Sequence, residues 1–404
     1  MMRNFPIKKN RSCPDRFFRP ESPDVKLPGD LTASLSLYVH VPFCAAKCGY
    51  CSFYSRPPRP LEIDAWLDAL AREAALWRER LGGRAALRTV YVGGGTPSLL
   101  SPSQWRRLIA AIETLGDTGG LIEASVEANP SSLSEELISL WEGSFFTRLS
   151  LGVQSLNDNE LRTLGRLHDA RAALRVMERV ARSRLALSAD LIFGTPGQSL
   201  RSWDASLRGC LEAGARHLSA YQLTLEPDTP MGRANPALPD GYPFYRYAQW
   251  LLPKKDFIQY EISSFAPPGA ECRHNLAYWR QEDVLALGPA AWGYLGERRY
   301  ENPPTLEEYF DAAAKKFPAP LARGETLDER ERAVEAAILA LRTRWGIDRE
   351  AFAARWGRGM LHEVEAVLSA LPPRLVRDDG ASVALTPAGM RVGNAVWAEV
   401  MGLR

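Results

Sequence analysis

At 404 residues the chain is long enough for one large domain and a smaller one. Its 46% apolar and 24% charged content is that of a soluble globular protein, and a net charge of +2 argues against a dedicated nucleic-acid binder. Six cysteines without a paired framework suit a reducing cytoplasm, and no run of eighteen apolar residues predicts a transmembrane helix.

Residues 1–34 are basic, Pro-rich and without the apolar core of a signal peptide, so a flexible tail is expected, with Cys13 a bystander. From Ser36 the chain alternates strands and helices. Ser36–Val41 reads as a strand, and Leu61–Leu81 as a helix with Trp66, Leu70, Ala74, Trp77 and Leu81 on one face. Between them Cys44, Cys48 and Cys51 stand in C-x3-C-x2-C spacing on a loop leaving a strand end. Three thiolates on one short loop can converge on a soft metal centre. An ordinary [4Fe–4S] cluster takes four cysteines, so three leave one iron open to an outside molecule. A disulfide would strand one of the three, and a structural zinc site wants four ligands, usually in two pairs. Cys210 and Cys272 have no partner spacing, and His40 is read as packed or hydrogen-bonded beside the site rather than as a ligand.

Thr89–Val92 is a short strand ending in Gly93-Gly94-Gly95-Thr96, where residues without side chains let a backbone approach a ligand closely. Ser101 and Pro102 open a helix as N-cap and first residue. Strands follow at Ile122–Glu127, Arg148–Val153, Leu185–Phe193 and His217–Leu225, with helices at Ser134–Glu142, Asp158–Leu164, Asp169–Ser183 and Ser199–Ala213. Six β–α units in series predict an α/β fold, a parallel sheet with helices outside, too few for a closed eight-stranded barrel. Such barrels place their active site at the C-terminal ends of the strands. Gly94, Gly95, Thr96, Glu127 and Gln154 fall there, and Asp190 lies in the fifth strand.

Residues 240–252 predict a helix dense in aromatics, and Tyr260–Phe265 a strand. Residues 303–325 hold one or two helices and a Pro- and Ala-containing linker. Glu331–Arg342, Asp348–Trp356 and Gly359–Leu371 predict helices, and Asp378-Asp379-Gly380 a hairpin between Arg374–Arg377 and Ser382–Leu385. Thr386 and Pro387 open a last helix to Met401. Three helices, a hairpin and a helix form a winged-helix-like α+β unit, read as a docking or lid element because no strongly basic helix accompanies it.

The stretch from Tyr38-x-His40-x-Pro42-Phe43 through the three cysteines to Phe53-Tyr54 resembles the radical S-adenosylmethionine (SAM) enzymes, in their oxygen-independent coproporphyrinogen oxidase branch. The resemblance implies an open six-unit (β/α) partial barrel with a C-terminal domain of the kind read above. It implies a [4Fe–4S] cluster on Cys44, Cys48 and Cys51, whose open iron is chelated by SAM. Reduction of that cluster in the family cleaves SAM to methionine and a 5′-deoxyadenosyl radical. Tyr38, Gly94, Gly95, Thr96, Glu127, Gln154, Arg166 and Asp190 match SAM-site positions, with Glu127 on the ribose hydroxyls, and Tyr50 matches the position beside the adenine.

His274-Asn275-x-x-Tyr278-Trp279 matches a motif of the haem-chaperone subgroup, in which the histidine is a candidate haem contact, and imidazole is a common axial ligand. That subgroup continues with a Gly-Pro-Gly-Ala-His-Ser-like segment; here Ala290 and Trp292 replace its second glycine and its histidine. Indole nitrogen offers no lone pair, so Trp292 cannot stand in for a ligand. The implied function is a haem chaperone holding a cluster, SAM and haem, and serving haem-acceptor proteins with an electron donor for the cluster. The alternatives are a coproporphyrinogen III dehydrogenase, which has a further cysteine where Phe53 stands, and a tetrapyrrole methyltransferase. No nucleic acid is expected as partner, and the oligomeric state, homodimer included, stays open. The expected division is 1–34 tail, 35–230 partial barrel, 231–325 barrel extension and linker, and 326–404 C-terminal domain.

Overall fold

The computed structural model describes residues 35–315 and 324–403; the expected tail with Cys13 and the linker core at 316–323 lie outside the described residues. The chain divides into two units. In the first, the strand Leu35–Val41 pairs in parallel with Ala85–Gly94 on one side and with Val284–Leu287 on the other. Antiparallel strands Trp292–Leu295, Arg298–Glu301 and Gly324–Thr326 continue that sheet. These later strands extend a sheet predicted only from its β–α repeats. Helix Glu62–Arg80 buries Trp66, Leu70, Ala74 and Trp77 as its spacing requires, while Leu81 forms its C-cap and stays half-buried. Ser101 caps Pro102–Leu115 in a capping box with Gln104.

In the second unit Glu123–Ala128, Arg148–Gln154, Ala186–Phe193 and His217–Gln222 form a parallel run. Strand alternation sorts their side chains onto two faces. One face is apolar and buried, carrying Ala124 and Val126, Leu149 and Leu151, Leu187 and Ala189, and Leu218 and Ala220. Helices such as Ala170–Ala181 and Leu200–Glu212 pack on these strands. The other face is polar along its length: Glu123, Ser125 and Glu127, then Arg148 and Ser150, then Ser188 and Asp190, then His217, Ser219 and Tyr221. A packed barrel interior is filled mainly by Val, Ile and Leu. This one is lined with charge and small hydroxyls.

Two predicted elements are corrected. Tyr260–Phe265 is not one strand: Ile258–Gln259 and Ser264–Ala266 pair antiparallel about a turn. The buried Glu261 carboxylate accepts Ser263 N at 3.0 Å, and that local bond competes with a continuing ladder. The last helix is broken into Pro387–Met390 and Gly393–Met401. Gly389 lies so close to the hairpin that a Cβ would stand 2.2 Å from Leu375 O, while the ring of Trp397 fills the space beside Gly393. The C-terminal hairpin forms as predicted, and Ile347–Asp348 adds a third strand. Its core gathers Val334, Ile338, Leu341, Val364, Val383 and Trp397. Among the described residues no helix is long and apolar enough to cross a membrane.

Candidate functional site

The first strand delivers the chain into the cysteine loop under tight backbone control. Cys44 N donates to Arg56 O at 3.1 Å and Arg56 N to Pro42 O at 3.0 Å, so the segment leaves and returns at one place. Phe43 is buried edge-on to Trp66, with ring centroids 5.8 Å apart. The glycine turn closes against the same backbone: Gly95 N donates to Val41 O and Thr96 N to Phe43 O, both at 2.7 Å. A Cβ on Gly95 would meet Phe43 O at 2.5 Å, and one on Gly94, at φ 108°, would meet His40 Nδ1 at 2.4 Å. Both positions therefore require glycine. Thr96 Oγ1 donates to Cys44 Sγ at 3.3 Å.

His40 is a structural clasp, as read. Its Nε2 lies 2.8 Å from Tyr54 O, which can only accept, so Nε2 carries the proton and Nδ1 accepts from Tyr38 OH at 3.0 Å. Tyr54 OH in turn accepts Leu306 N at 2.8 Å. Tyr38 is thus engaged with the strand–loop junction.

Cys48 and Cys51 belong to the second unit. Cys51 N donates to Cys48 O at 3.2 Å, and Met231 N to Gly49 O at 2.8 Å. Arg166 Nη1 donates to Cys48 Sγ at 3.4 Å, and Nη2 to Gly152 O at 2.9 Å. Tyr50 packs against Leu164, Ile192, Leu223 and Met231. Burial pushes its phenol up, with the Arg166 charge opposing. Gln154 adopts φ 64°, beside a register shift in its strand. Its side chain and that of Arg166 lie over Gly152, where a Cβ would stand 2.9 Å from Gln154 Nε2 and 3.2 Å from Arg166 Nη2. Asp190 accepts Ser150 Oγ at 2.8 Å. Burial raises its carboxyl; hydrogen bonds from Ser219 and Ser150 and the charges of Arg148 and Arg166 oppose the rise. Glu127, half-buried, is the register partner of Ser150. The second unit therefore brings Tyr50, Gln154 and Arg166 together beside Cys48, and Glu127, Ser150 and Asp190 onto one face.

His274 lies on the helix Arg273–Trp279 and is 1% exposed, its ring edge-on to Tyr278. Burial lowers its imidazole to about 4, so it is neutral at pH 7. The helix start is held by Glu123, which accepts Arg273 N and His274 N at 3.1 Å each, Cys272 Sγ at 3.3 Å and Arg148 Nε at 3.0 Å. Glu123 and Arg148 are the first residues of their strands, so this motif docks at the N-terminal end of the sheet. Cys272 is buried and bound to Glu123, which occupies it as a donor.

In the first unit, the segment that departs from the haem-chaperone pattern is a tight turn. Ala290, in place of glycine, holds φ 56°, with its N–H on Pro303 O at 2.8 Å. Gly288 N donates to the buried Glu73, which also receives Asn302 Nδ2 and Tyr309 OH. Gly293 leaves room for the ring of Tyr300, and Trp292 is half-buried on its strand.

A Cys-x3-Cys-x2-Cys loop leaving the first strand of an α/β sheet of this kind defines the radical SAM class, and residues 38–208 match the radical SAM superfamily. Residues 327–392 match the HemN C-terminal domain. A protein named "Heme chaperone HemW" from Bacillus subtilis is 33% identical over 91% of this chain and 99% of its own length. Another from Mycobacterium tuberculosis is 35% identical over 91% and 94%. The solved structure of coproporphyrinogen III oxidase (HemN) from Escherichia coli superposes with a TM-score of 0.79 at 22% identity, covering 91% of this chain and 90% of that one. The chain belongs to the HemW family, within the radical SAM superfamily.

Superfamily membership implies a [4Fe–4S] cluster and SAM as cofactors. Cys44, Cys48 and Cys51 are partly exposed and in no disulfide; within the first unit Thr96 aims a donor at Cys44 Sγ, and within the second Arg166 aims one at Cys48 Sγ, as suits thiolate ligands. Among the described residues no three His, Cys, Asp or Glu side chains close on a single ion. Sequence reasoning missed Ser150, which donates to Asp190, and Gly152, whose carbonyl accepts Arg166 Nη2.

Proposed function

We propose that the chain is a haem chaperone. It holds a [4Fe–4S] cluster on Cys44, Cys48 and Cys51, binds SAM, and passes haem to acceptor proteins, respiratory ones among them, in the cytoplasm. The observation that carries this reading is the match to haem chaperones along nine-tenths of the chain. It is supported by Phe53, which stands where the dehydrogenase has a further cysteine. When bound, the cluster supplies one-electron chemistry at SAM and takes its electron from a donor protein. SAM is assigned to Tyr38, Tyr50, Gly94, Gly95, Thr96, Glu127, Gln154, Arg166 and Asp190. Arg166 Nη1 donates to Cys48 Sγ, and the glycine turn is held against the strand that leads into the cysteine loop. The division into tail, barrel, extension and C-terminal domain at residues 34, 230 and 325 goes with this reading. His274 is the haem candidate, and its burial means that haem reaches it only when the helix Arg273–Trp279 is uncovered.

The test is anaerobic reconstitution followed by haem titration and, separately, incubation with coproporphyrinogen III, SAM and a reductant. The protein is expected to hold about four irons. Cys44→Ala, Cys48→Ala and Cys51→Ala each abolish the cluster, whereas Cys13→Ala, Cys210→Ala and Cys272→Ala do not. Stable haem binding without decarboxylation supports the chaperone; decarboxylation would replace it with the dehydrogenase. His274→Phe is expected to shift the Soret band and leave the cluster intact, and an unchanged spectrum removes His274 from the haem site.

A further inference from the structure

Gln154, assigned above to SAM, holds a backbone conformation that its side chain disfavours. Its φ of 64° lies in the left-handed region, where a Cβ crowds the backbone, and such residues persist only where their surroundings fix them. The fixing begins directly after it. Ser155 N turns back on Val153 O at 2.8 Å, and Leu156 N donates to Ser206 Oγ at 3.0 Å. Ser155 Oγ accepts Asn157 N at 3.0 Å and donates to Glu160 Oε2 at 2.7 Å. Ser155, Glu160, Gln198 and Ser206 are all buried. The Glu160 carboxylate reaches further than this one serine. Its Oε2 also accepts Gln198 Nε2 at 2.9 Å, and its Oε1 accepts Ser202 Oγ at 2.5 Å. Gln198 in turn ties down the end of the neighbouring strand: its Oε1 accepts Gly194 N at 2.7 Å, and its Nε2 donates to Ile192 O at 3.3 Å. Glu160 itself lies on the short helix Asp158–Thr163, from which the chain runs on to Arg166, whose N–H donates to Leu161 O at 2.9 Å. The ends of two adjacent strands and the segment carrying Arg166 thus meet on one buried carboxylate. Its three side-chain donors are neutral, so they call on its oxygens as acceptors and not on its charge.

We propose that Glu160 is a positioning residue of the SAM site: through Ser155 it locks the left-handed backbone of Gln154, and with it the direction of the Gln154 side chain. The proposal rests on the reading of Gln154 as a SAM contact. Alanine at 160 would leave Ser155 Oγ and Gln198 Nε2 without their acceptor in the interior. Glutamine would keep it, because one amide oxygen can serve Ser155 and Gln198 together while the amide nitrogen donates to Ser202 Oγ. Ser202 can then turn its own proton to Ser199 O, 2.9 Å away.

The test is equilibrium SAM binding to the reconstituted full chain by titration calorimetry, with iron content and thermal melts to verify loading and folding. Glu160→Ala is expected to weaken binding about tenfold, the cost of stranding buried donors. Glu160→Gln is expected to bind within about twofold of wild type, because it keeps the acceptor. In a Gln154→Ala background Glu160→Ala is expected to cost little further, since the two act as one unit. Ser155→Ala, which leaves the carboxylate its other two donors, runs the same cycle with a loss of about threefold, and decides the matter if Glu160→Ala does not fold. A merely structural role would lower the melting temperature and cost the same SAM affinity in both backgrounds. That equal cost overturns the proposal, as does no cost in the wild type or a Glu160→Gln chain as weak as Glu160→Ala. If Gln154→Ala alone leaves SAM binding unchanged, the SAM reading of Gln154 has failed and the proposal falls with it. A weakened Gln154→Ala beside an additive loss from Glu160→Ala strikes the proposal and leaves the SAM reading standing.

Discussion

Glu73 and Glu123 are buried carboxylates, one in each unit, and their surroundings answer the same desolvation in opposite ways. Glu73 receives three neutral donors: Asn302 Nδ2 at 2.8 Å, Gly288 N at 2.9 Å and Tyr309 OH at 2.6 Å. Burial still dominates, and its carboxyl is pushed up to about 7. Glu123 meets a similar burial, but Arg148 stands at 3.0 Å beside the N–H groups of Arg273 and His274, and its carboxyl ends below the ordinary range. Neutral hydrogen bonds satisfy the lone pairs of a carboxylate, whereas a guanidinium also offsets the cost of its charge. One unit thus holds a carboxyl poised to change state near neutrality, and the other holds a permanent ion pair.

The largest effect is expected from breaking the pair. Arg148→Met leaves Glu123 charged and unpartnered in the interior, a loss of about 3–5 kcal/mol in urea unfolding at pH 7. Adding Glu123→Gln in the same chain is expected to recover much of it, since no lone buried charge then remains. A single variant as stable as wild type would mean that the helix start, and not the arginine, carries Glu123.

The next effect is a pH dependence. A folded value of about 7 against an ordinary 4.5 for Glu73 corresponds to about 3 kcal/mol. Because the folded value is raised, this stability is fully present below pH 4.5 and is lost as pH rises through 7. Glu73→Gln is expected to flatten that part of the wild-type profile, read from urea melts between pH 4 and 8. Glu123 runs the other way: its contribution is present above the ordinary glutamate range and is lost as pH falls through its depressed value.

The smallest effect sharpens the view of the Glu73 neighbourhood. Ala290 bears a left-handed backbone in the turn whose Gly288 N–H Glu73 holds. Ala290→Gly is expected to stabilise the protein by about 0.5–1 kcal/mol, the relief of the Cβ clash less the added freedom of the unfolded chain. A lowered melting temperature would show that other contacts of the turn rely on the alanine methyl.

The cysteine loop, the glycine turn and the capped helices were legible because each is a local pattern, such as Ser101-Pro102 or the spacing of Cys44, Cys48 and Cys51. The two glutamates were not. Arg148 lies 25 residues from Glu123, and Asn302 and Tyr309 lie 229 and 236 from Glu73, so nothing near them in sequence marks them. The break in Tyr260–Phe265 was hidden for a related reason: the residues favour a strand, and only a buried Glu261 turns them. Ser150 lay between. The alternation of its strand was visible, but its bond to Asp190 appears only when the neighbouring strands are set in register.

The backbone clasp joining Pro42 and Cys44 to Arg56 bears on how the protein acquires iron. With both ends of the cysteine segment tied by main-chain hydrogen bonds, the entropy of closing that loop is offset before any metal arrives. In small zinc domains metal capture and folding are one event, and a chelator unfolds the chain. Here the clasp is made by the chain itself, so iron need not close the loop in order to be captured.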